Sequence, residues 1–210
     1  MIVLMIYGYP ATGKTYIAKC LSGYLNKKYN VKSVSTLEFR KKYNLFDLES
    51  DDERNKVYEM LNNHVKKIIK DSQFDILIVD GNFNKRDRRE KLYSIINDSV
   101  LYVIKCFVSD DKIIKERLDR RQKESELFEN KAATIGLYNM IKDEGVPVEE
   151  DELVKKGYIG IIKYDSGKNI VEQTQLSKIS NNGPLIDDIL YFLNSNIKSS
   201  YLPFYRITQK

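Results

Sequence analysis

Histidine is nearly absent from this chain: His64 is the only one among 210 residues. A histidine-built metal centre or a Ser/His nucleophilic relay therefore has no second imidazole to draw on. His64 sits at the margin of an apolar helical stripe and reads as structural. Cysteine is scarce as well, with Cys20 in an expected helix and Cys106 in an expected central strand. Both read as small buried hydrophobes, not as a disulfide, which points to a reducing cytoplasm. No apolar run approaches the roughly 20 residues of a membrane span. Met1-Ile2-Val3-Leu4 merges into a strand without a basic leader or a small-residue cleavage site. Internal repeats and low-complexity tracts are also missing.

What is present is an ordinary globular mixture, 31% charged and 42% hydrophobic, with a net charge of +5. The length suits one core, so a single domain is expected over residues 1–198, with a tail at 199–210. The mild basic bias suits anionic substrates or nucleic acid and by itself separates neither.

The informative stretch is Gly8-Tyr9-Pro10-Ala11-Thr12-Gly13-Lys14-Thr15, which matches the phosphate-loop pattern G-x-x-x-x-G-K-[ST] in full. It follows Ile2-Val3-Leu4-Met5-Ile6-Tyr7, a continuous apolar segment expected of a parallel strand buried on both faces. It precedes Ile17, Ala18, Leu21 and Leu25 at helical spacing. Glycines let backbone N–H groups reach a polyphosphate, the helix start adds a positive dipole end, and Lys14 adds a full charge. Thr15 offers a hydroxyl to magnesium. Gly8, Pro10, Ala11, Thr12, Gly13, Lys14 and Thr15 are thus the expected ATP-binding residues.

Val31 to Ser35 reads as the second strand, and Thr36 to Arg40 beyond it as the first place to look for substrate groups, because open parallel sheets bind ligands past their carboxyl ends. A helix runs between Glu49 and Asp71, opened by Ser50-Asp51-Asp52-Glu53. Phe74 to Asp80 is the next strand and ends in the acid that magnesium needs as a second anchor. Asn84-Lys85-Arg86-Asp87 spells the guanine-reading pattern N-K-x-D, but it lies at a helix start instead of after a later strand and reads as coincidence. Arg86, Arg88 and Arg89 form a basic cluster, by default a solvated face. Val100 to Val108 is the longest strand signal, hence central. In the helix after it, Arg117 and Arg121 share a face and could close over a nucleotide. The charged segment 122–157 is the expected helical lid, and Tyr158 to Tyr164 the last strand. Asp165 to Asn169 is either a turn approaching a purine or the tip of a hairpin. A closing amphipathic helix follows Pro184.

In their order, Gly8 to Thr15, Leu37-Glu38-Phe39-Arg40, Asp51-Asp52-Glu53-Arg54, Val79-Asp80-Gly81-Asn82-Phe83 with Arg89, and Glu116-Arg117-Leu118-Asp119-Arg120-Arg121 resemble the small P-loop kinases. That group contains adenylyl-sulfate kinases, polynucleotide 5′-kinases and zeta-toxin-like kinases. The resemblance implies an α/β, three-layer P-loop NTPase fold, nucleoside/nucleotide-kinase-like, with a five-stranded mainly parallel sheet and a helical lid. It implies ATP with Mg2+ as donor and a substrate hydroxyl as acceptor. By position, Arg40 and Arg54 would hold the acceptor and Arg89 would contact acceptor or phosphate. Arg117 would lie against adenine, Arg121 would steady the transferring phosphoryl, and Thr15 and Asp80 would hold the metal.

Two departures stand out. The aspartate base expected three residues before Arg40 is Leu37 here, with Glu38 adjacent; neighbouring strand residues point opposite ways, so Glu38 replaces it only if the backbone turns. Gly81-Asn82 replaces small or hydroxyl-bearing residues, and Asn82 offers an amide to the acceptor. The sequence therefore favours a kinase of a small anionic, nucleotide-like metabolite. A 5′-polynucleotide kinase is less favoured, because Lys and Arg form no aromatic-interleaved track for nucleic acid. The third reading is an ATP-binding sensor that has lost catalysis.

Overall fold

A computed structural model describes residues 1–71, 73–96, 99–124, 134–148, 152, 160–176 and 183–195. Six strands, β1 (Ile2–Tyr7), β2 (Val31–Ser35), β3 (Ile76–Gly81), β4 (Val100–Phe107), β5 (Gly160–Asp165) and β6 (Ile170–Leu176), form one sheet in the order β2-β3-β1-β4-β5-β6. The first five run parallel. β6 pairs antiparallel with β5, so the sheet has one strand more than the five expected. Helices α1 (Lys14–Leu25), α2 (Thr36–Tyr43), α3 (Asp51–Asp71), α4 (Arg86–Ile95), α5 (Asp111–Glu124), α6 (Ile135–Asp143) and α7 (Gly183–Ser195) cover it. The three-layer α/β expectation holds.

Alternation in β1 explains why its apolar run has no polar break. Leu4 and Ile6 point to the face packed by Ile17 and Leu21 of α1 and Ile189 of α7. Val3 and Met5 point to the opposite face, packed by Leu61 and Val65 of α3 and Leu92 of α4. All four strand residues are fully buried, each stabilising the fold by ~1.5–3 kcal/mol. His64 packs edge-on against Phe39, with ring centroids 5.7 Å apart, as a structural residue would. Cys20 and Cys106 are both unpaired.

Two elements depart from the expected reading. Helix α2 starts at Thr36, where a strand end was expected, with the Ser35 hydroxyl accepting the Glu38 N–H at 3.2 Å. Of the expected lid at 122–157, the described part includes α6, whose Tyr138 joins Ile114 and Leu118 of α5 against Ala11 of the phosphate loop. Residues 125–133, 149–151 and 153–159, which include Tyr158 and Ile159 of the expected last strand, lie outside the described residues, as does the tail. Among the described residues no helix is long and apolar enough to cross a membrane.

Candidate active site

The loop after β1 turns sharply because two of its positions lack a side chain. A Cβ on Gly8 would overlap the Cys106 carbonyl oxygen of β4 and stand 2.7 Å from the Thr12 hydroxyl. Gly13 has a left-handed φ of 81° immediately before α1, a conformation glycine adopts without steric cost. The Thr12 hydroxyl donates to the Tyr9 carbonyl at 2.8 Å. The Lys14 ammonium donates to the same carbonyl at 3.0 Å, which keeps it folded over the loop. Burial lowers the Lys14 pKa to about 8; the Asp80 carboxylate opposes that shift and the Arg121 charge adds to it.

Asp80 is the last but one residue of β3, the strand directly beside β1. It is 2% exposed and accepts the Thr15 hydroxyl on Oδ2 at 2.6 Å. Its Oδ1 is buried with no partner among the described residues, and burial raises its pKa despite Lys14 and Thr15. A hydroxyl and an under-coordinated buried carboxylate are hard oxygen donors, the set magnesium prefers. The expected pair Thr15 and Asp80 thus fits a magnesium ion, and no cluster of three or more His, Cys, Asp or Glu suited to a metal occurs among the described residues.

Arg117 is 9% exposed and pins the loop from behind. Its Nη1 donates to the Ala11 carbonyl at 3.0 Å and to the Ser166 hydroxyl at 2.9 Å, and its Nη2 to the Ser166 carbonyl at 2.9 Å. Ser166 in turn donates to the Thr12 carbonyl at 2.8 Å. The turn at 166–169 is the tip of a hairpin between β5 and β6, and it touches the phosphate loop through Ser166.

At the ends of β2 and β3, α2, α3 and α4 bring three arginines together. Arg54 and Arg88 are each 4% exposed. Arg54 donates to Asp51 at 2.7 Å and to Glu144 at 3.3 Å; Arg88 lies 4.7 Å over the Tyr58 ring and reaches Asn55 at 3.3 Å. Arg40 donates to the Leu45 carbonyl at 2.8 Å, and the charges of Arg88 and Arg54 help burial lower its pKa. The Nε atoms of Arg54 and Arg88 are buried with no partner among the described residues. Arg88 was read from sequence as part of a solvated face; only its spacing from Tyr58, across α3 and α4, reveals otherwise. Asn82 is half-buried in the turn after Asp80.

Glu38 is exposed in the first turn of α2, and its charge raises the Asp80 pKa, so the turn of the backbone brings it toward the site. The spacing Ser35-x-x-Glu38 is the capping-box signature that could have announced α2. Arg89 requires a correction. It is fully buried in an ion pair with Glu152 at 2.7 Å, its donors spent on Glu152 and on the Phe83, Asn84, Val146 and Pro147 carbonyls. Buried cations persist only when paired, and this one has its donors on protein oxygens already. The N-K-x-D match stays a coincidence: α4 begins at Arg86, and Asn84 donates to the Ile141 carbonyl at 2.9 Å.

A sequence model described as an AAA domain matches residues 3–139. The chain belongs to this AAA domain family. Solved structures of similar fold include Kti12 of Chaetomium thermophilum in complex with ADP-AlF3, at 17% identity and TM-score 0.60, covering 78% of this chain and 89% of that one. A sugar kinase from Janibacter sp. HTCC2649 aligns at 16% identity and TM-score 0.55, covering 78% and 85%. The APS kinase CysC of Mycobacterium tuberculosis, in complex with AMPPNP and APS, aligns at 15% identity and TM-score 0.54, covering 90% and 96%. No curated protein matches the chain. This member of the AAA domain family thus carries the P-loop kinase-like fold that its motifs resemble.

Proposed function

We propose that the chain is an ATP-dependent phosphotransferase that moves the γ-phosphoryl group to a hydroxyl of a small anionic, nucleotide-like metabolite. The observation that supports this reading is the Thr15–Asp80 pair and Lys14 on the phosphate loop, together with Arg40, Arg54 and Arg88 on the helices that follow β2 and β3. One end suits a triphosphate and the other a second anion, with the sheet's carboxyl edge between them. Two free cysteines suit a reducing compartment.

In the reaction the acceptor oxygen bonds to the γ-phosphorus as the bond to the bridging β–γ oxygen breaks, and ADP leaves. Loop N–H groups and Lys14 hold the phosphates, Arg121 faces the charge on the transferring group, and Arg117 supports the loop. Magnesium, held by Thr15 and Asp80, would neutralise phosphate charge. Glu38 takes the acceptor proton. Because Leu37 replaces the familiar aspartate, a binding-only sensor is the second reading.

The deciding experiment offers ATP with a panel of hydroxyl acceptors, phosphorylated and unphosphorylated, and measures ADP and phosphorylated product. Phosphorylated product supports the kinase reading; tight ATP binding without transfer to any acceptor supports the sensor. Glu38→Gln should flatten the acidic limb of the pH–rate profile and lower kcat about 100-fold. An unchanged profile removes Glu38 from the role of base.

Lys14 also dictates how ATP affinity depends on pH. With its pKa lowered to about 8 in the free protein, the lysine is already charged below that pH. Phosphates raise its pKa, so above pH 8 binding requires proton uptake. The dissociation constant for ATP should be flat from pH 6.5 to 7.5 and then climb by up to about tenfold per pH unit. Calorimetry at pH 8.5 in buffers of different ionisation enthalpy should register the proton taken up; a pH-independent affinity would contradict the assignment.

A further inference from the structure

Arg89 heads the largest side chains fully withdrawn from solvent, and its guanidinium divides between two segments of chain. Toward the turn after Asp80, Nη1 donates to the carbonyls of Phe83 at 2.9 Å and Asn84 at 3.3 Å. Toward the segment leaving α6, Nη1 donates to the Val146 carbonyl at 2.9 Å and Nη2 to the Pro147 carbonyl at 3.3 Å. Nε and Nη2 meet the Glu152 carboxylate at 2.7 and 2.8 Å, and the Tyr93 hydroxyl donates to that carboxylate at 2.9 Å.

The first segment is strained. Phe83 has a left-handed φ of 41°, which a bulky side chain adopts only where its surroundings over-determine it. Its N–H donates to the Tyr58 hydroxyl at 3.0 Å, and its ring covers Gly81 so closely that a Cβ there would stand 2.8 Å away. Tyr58 thus grips one side of the peptide and Arg89 the other, with Asn82 held between Asp80 and this clamp. The second segment extends the helix seated on the phosphate loop. The two are also joined directly, the Val146 N–H donating to the Asn84 carbonyl at 2.8 Å.

We propose that Arg89 and Glu152 are positioning residues that lock the segment after α6 to the Phe83 turn, so that the seating of α6 and the placement of Asn82 beside Asp80 are set together. Release of the segment carrying Glu152 leaves a buried cation without its counter-charge, and release of the Phe83 turn leaves its bonds to two carbonyls unmade, each of which the low-dielectric interior penalises. The pair therefore favours both segments docked or both released. The consequence for turnover rests on the kinase reading; the coupling itself does not.

The test replaces the pair by apolar groups of similar volume, Arg89→Met with Glu152→Leu, alongside Arg89→Lys, which keeps the charge but not the fork. A cooperative thermal melt first shows that each variant folds. In the double variant the Phe83 and Val146 amides should exchange about tenfold faster or more, in step, while those of β1 and β4 stay protected. ATP affinity should remain within about threefold, KM for ATP should hold, and kcat for ADP release should fall roughly ten- to hundredfold. Arg89→Lys should lie between. Acceleration of one amide without the other, or unchanged exchange in the folded double variant, overturns the coupling. Coupled exchange with kcat unchanged overturns the positioning role. Where the unaltered chain releases no ADP from ATP, the kinase reading fails and the exchange measurement still decides the coupling.

Discussion

Lys14→Ala is expected to lower turnover by roughly a thousandfold, about 4 kcal/mol of barrier, while the chain still folds. The ammonium is folded over the loop on the Tyr9 carbonyl, and alanine supplies no replacement charge for the phosphates. The core loses nothing, because the side chain packs against loop backbone and Asp80 instead of an apolar cluster. The sign of the stability effect follows from the lowered pKa. A lysine that titrates near 8 when folded and near 10.5 when unfolded makes the native state gain stability as pH rises between those values. The alanine variant should lack that rise. Steady-state ADP release and urea unfolding at pH 7 and pH 9.5 check both statements; turnover within tenfold of the unaltered chain would remove Lys14 from the mechanism.

Asp80→Asn should separate activity from stability even more sharply. Turnover is expected to fall roughly 100- to 1,000-fold, because the amide cannot supply the anionic oxygen that a divalent ion requires. Lys14 also loses its attractive neighbour. Yet the unliganded variant should melt at the same temperature as the unaltered chain or above it. Burial raises the Asp80 pKa, so the ionised carboxylate disfavours the native state at neutral pH, and the penalty disappears only as pH falls through the raised value toward 3.8. Asparagine removes that penalty, and its amide oxygen still accepts the Thr15 hydroxyl. Scanning calorimetry with and without magnesium and ADP should show ligand stabilisation in the unaltered chain and little in the variant. A lower melting temperature for the unliganded variant would mean that Asp80 serves structure.

The parts of the fold that could be read in advance are those whose signal is local. Strands β1, β3 and β4 announce themselves as apolar runs because both faces of each are buried, and the phosphate loop because its glycines are required by backbone geometry at fixed spacing. Helix α2 gave little apolar signal, since none of its residues is buried; only the Ser35–Glu38 cap marked it. Arg88 and Arg89 look alike in sequence, yet one lies over the Tyr58 ring and the other pairs with Glu152. Those partners stand 30 and 63 positions away, beyond any periodicity. The added strand β6 was obscured because a turn touching the loop and a hairpin tip carry the same residues.

Ser166 gives that last contact a consequence for the newborn chain. The phosphate loop leaves the ribosome before its support does, because the hydroxyl that accepts from Arg117 and donates to Thr12 arrives more than 150 residues later. Synthesis proceeds at roughly 5–20 residues per second, so the opening residues wait about ten seconds or more for their last support. Competence to grip ATP is therefore acquired only after β5 has been made, and nucleotide capture reports that the parallel strands of the sheet have closed.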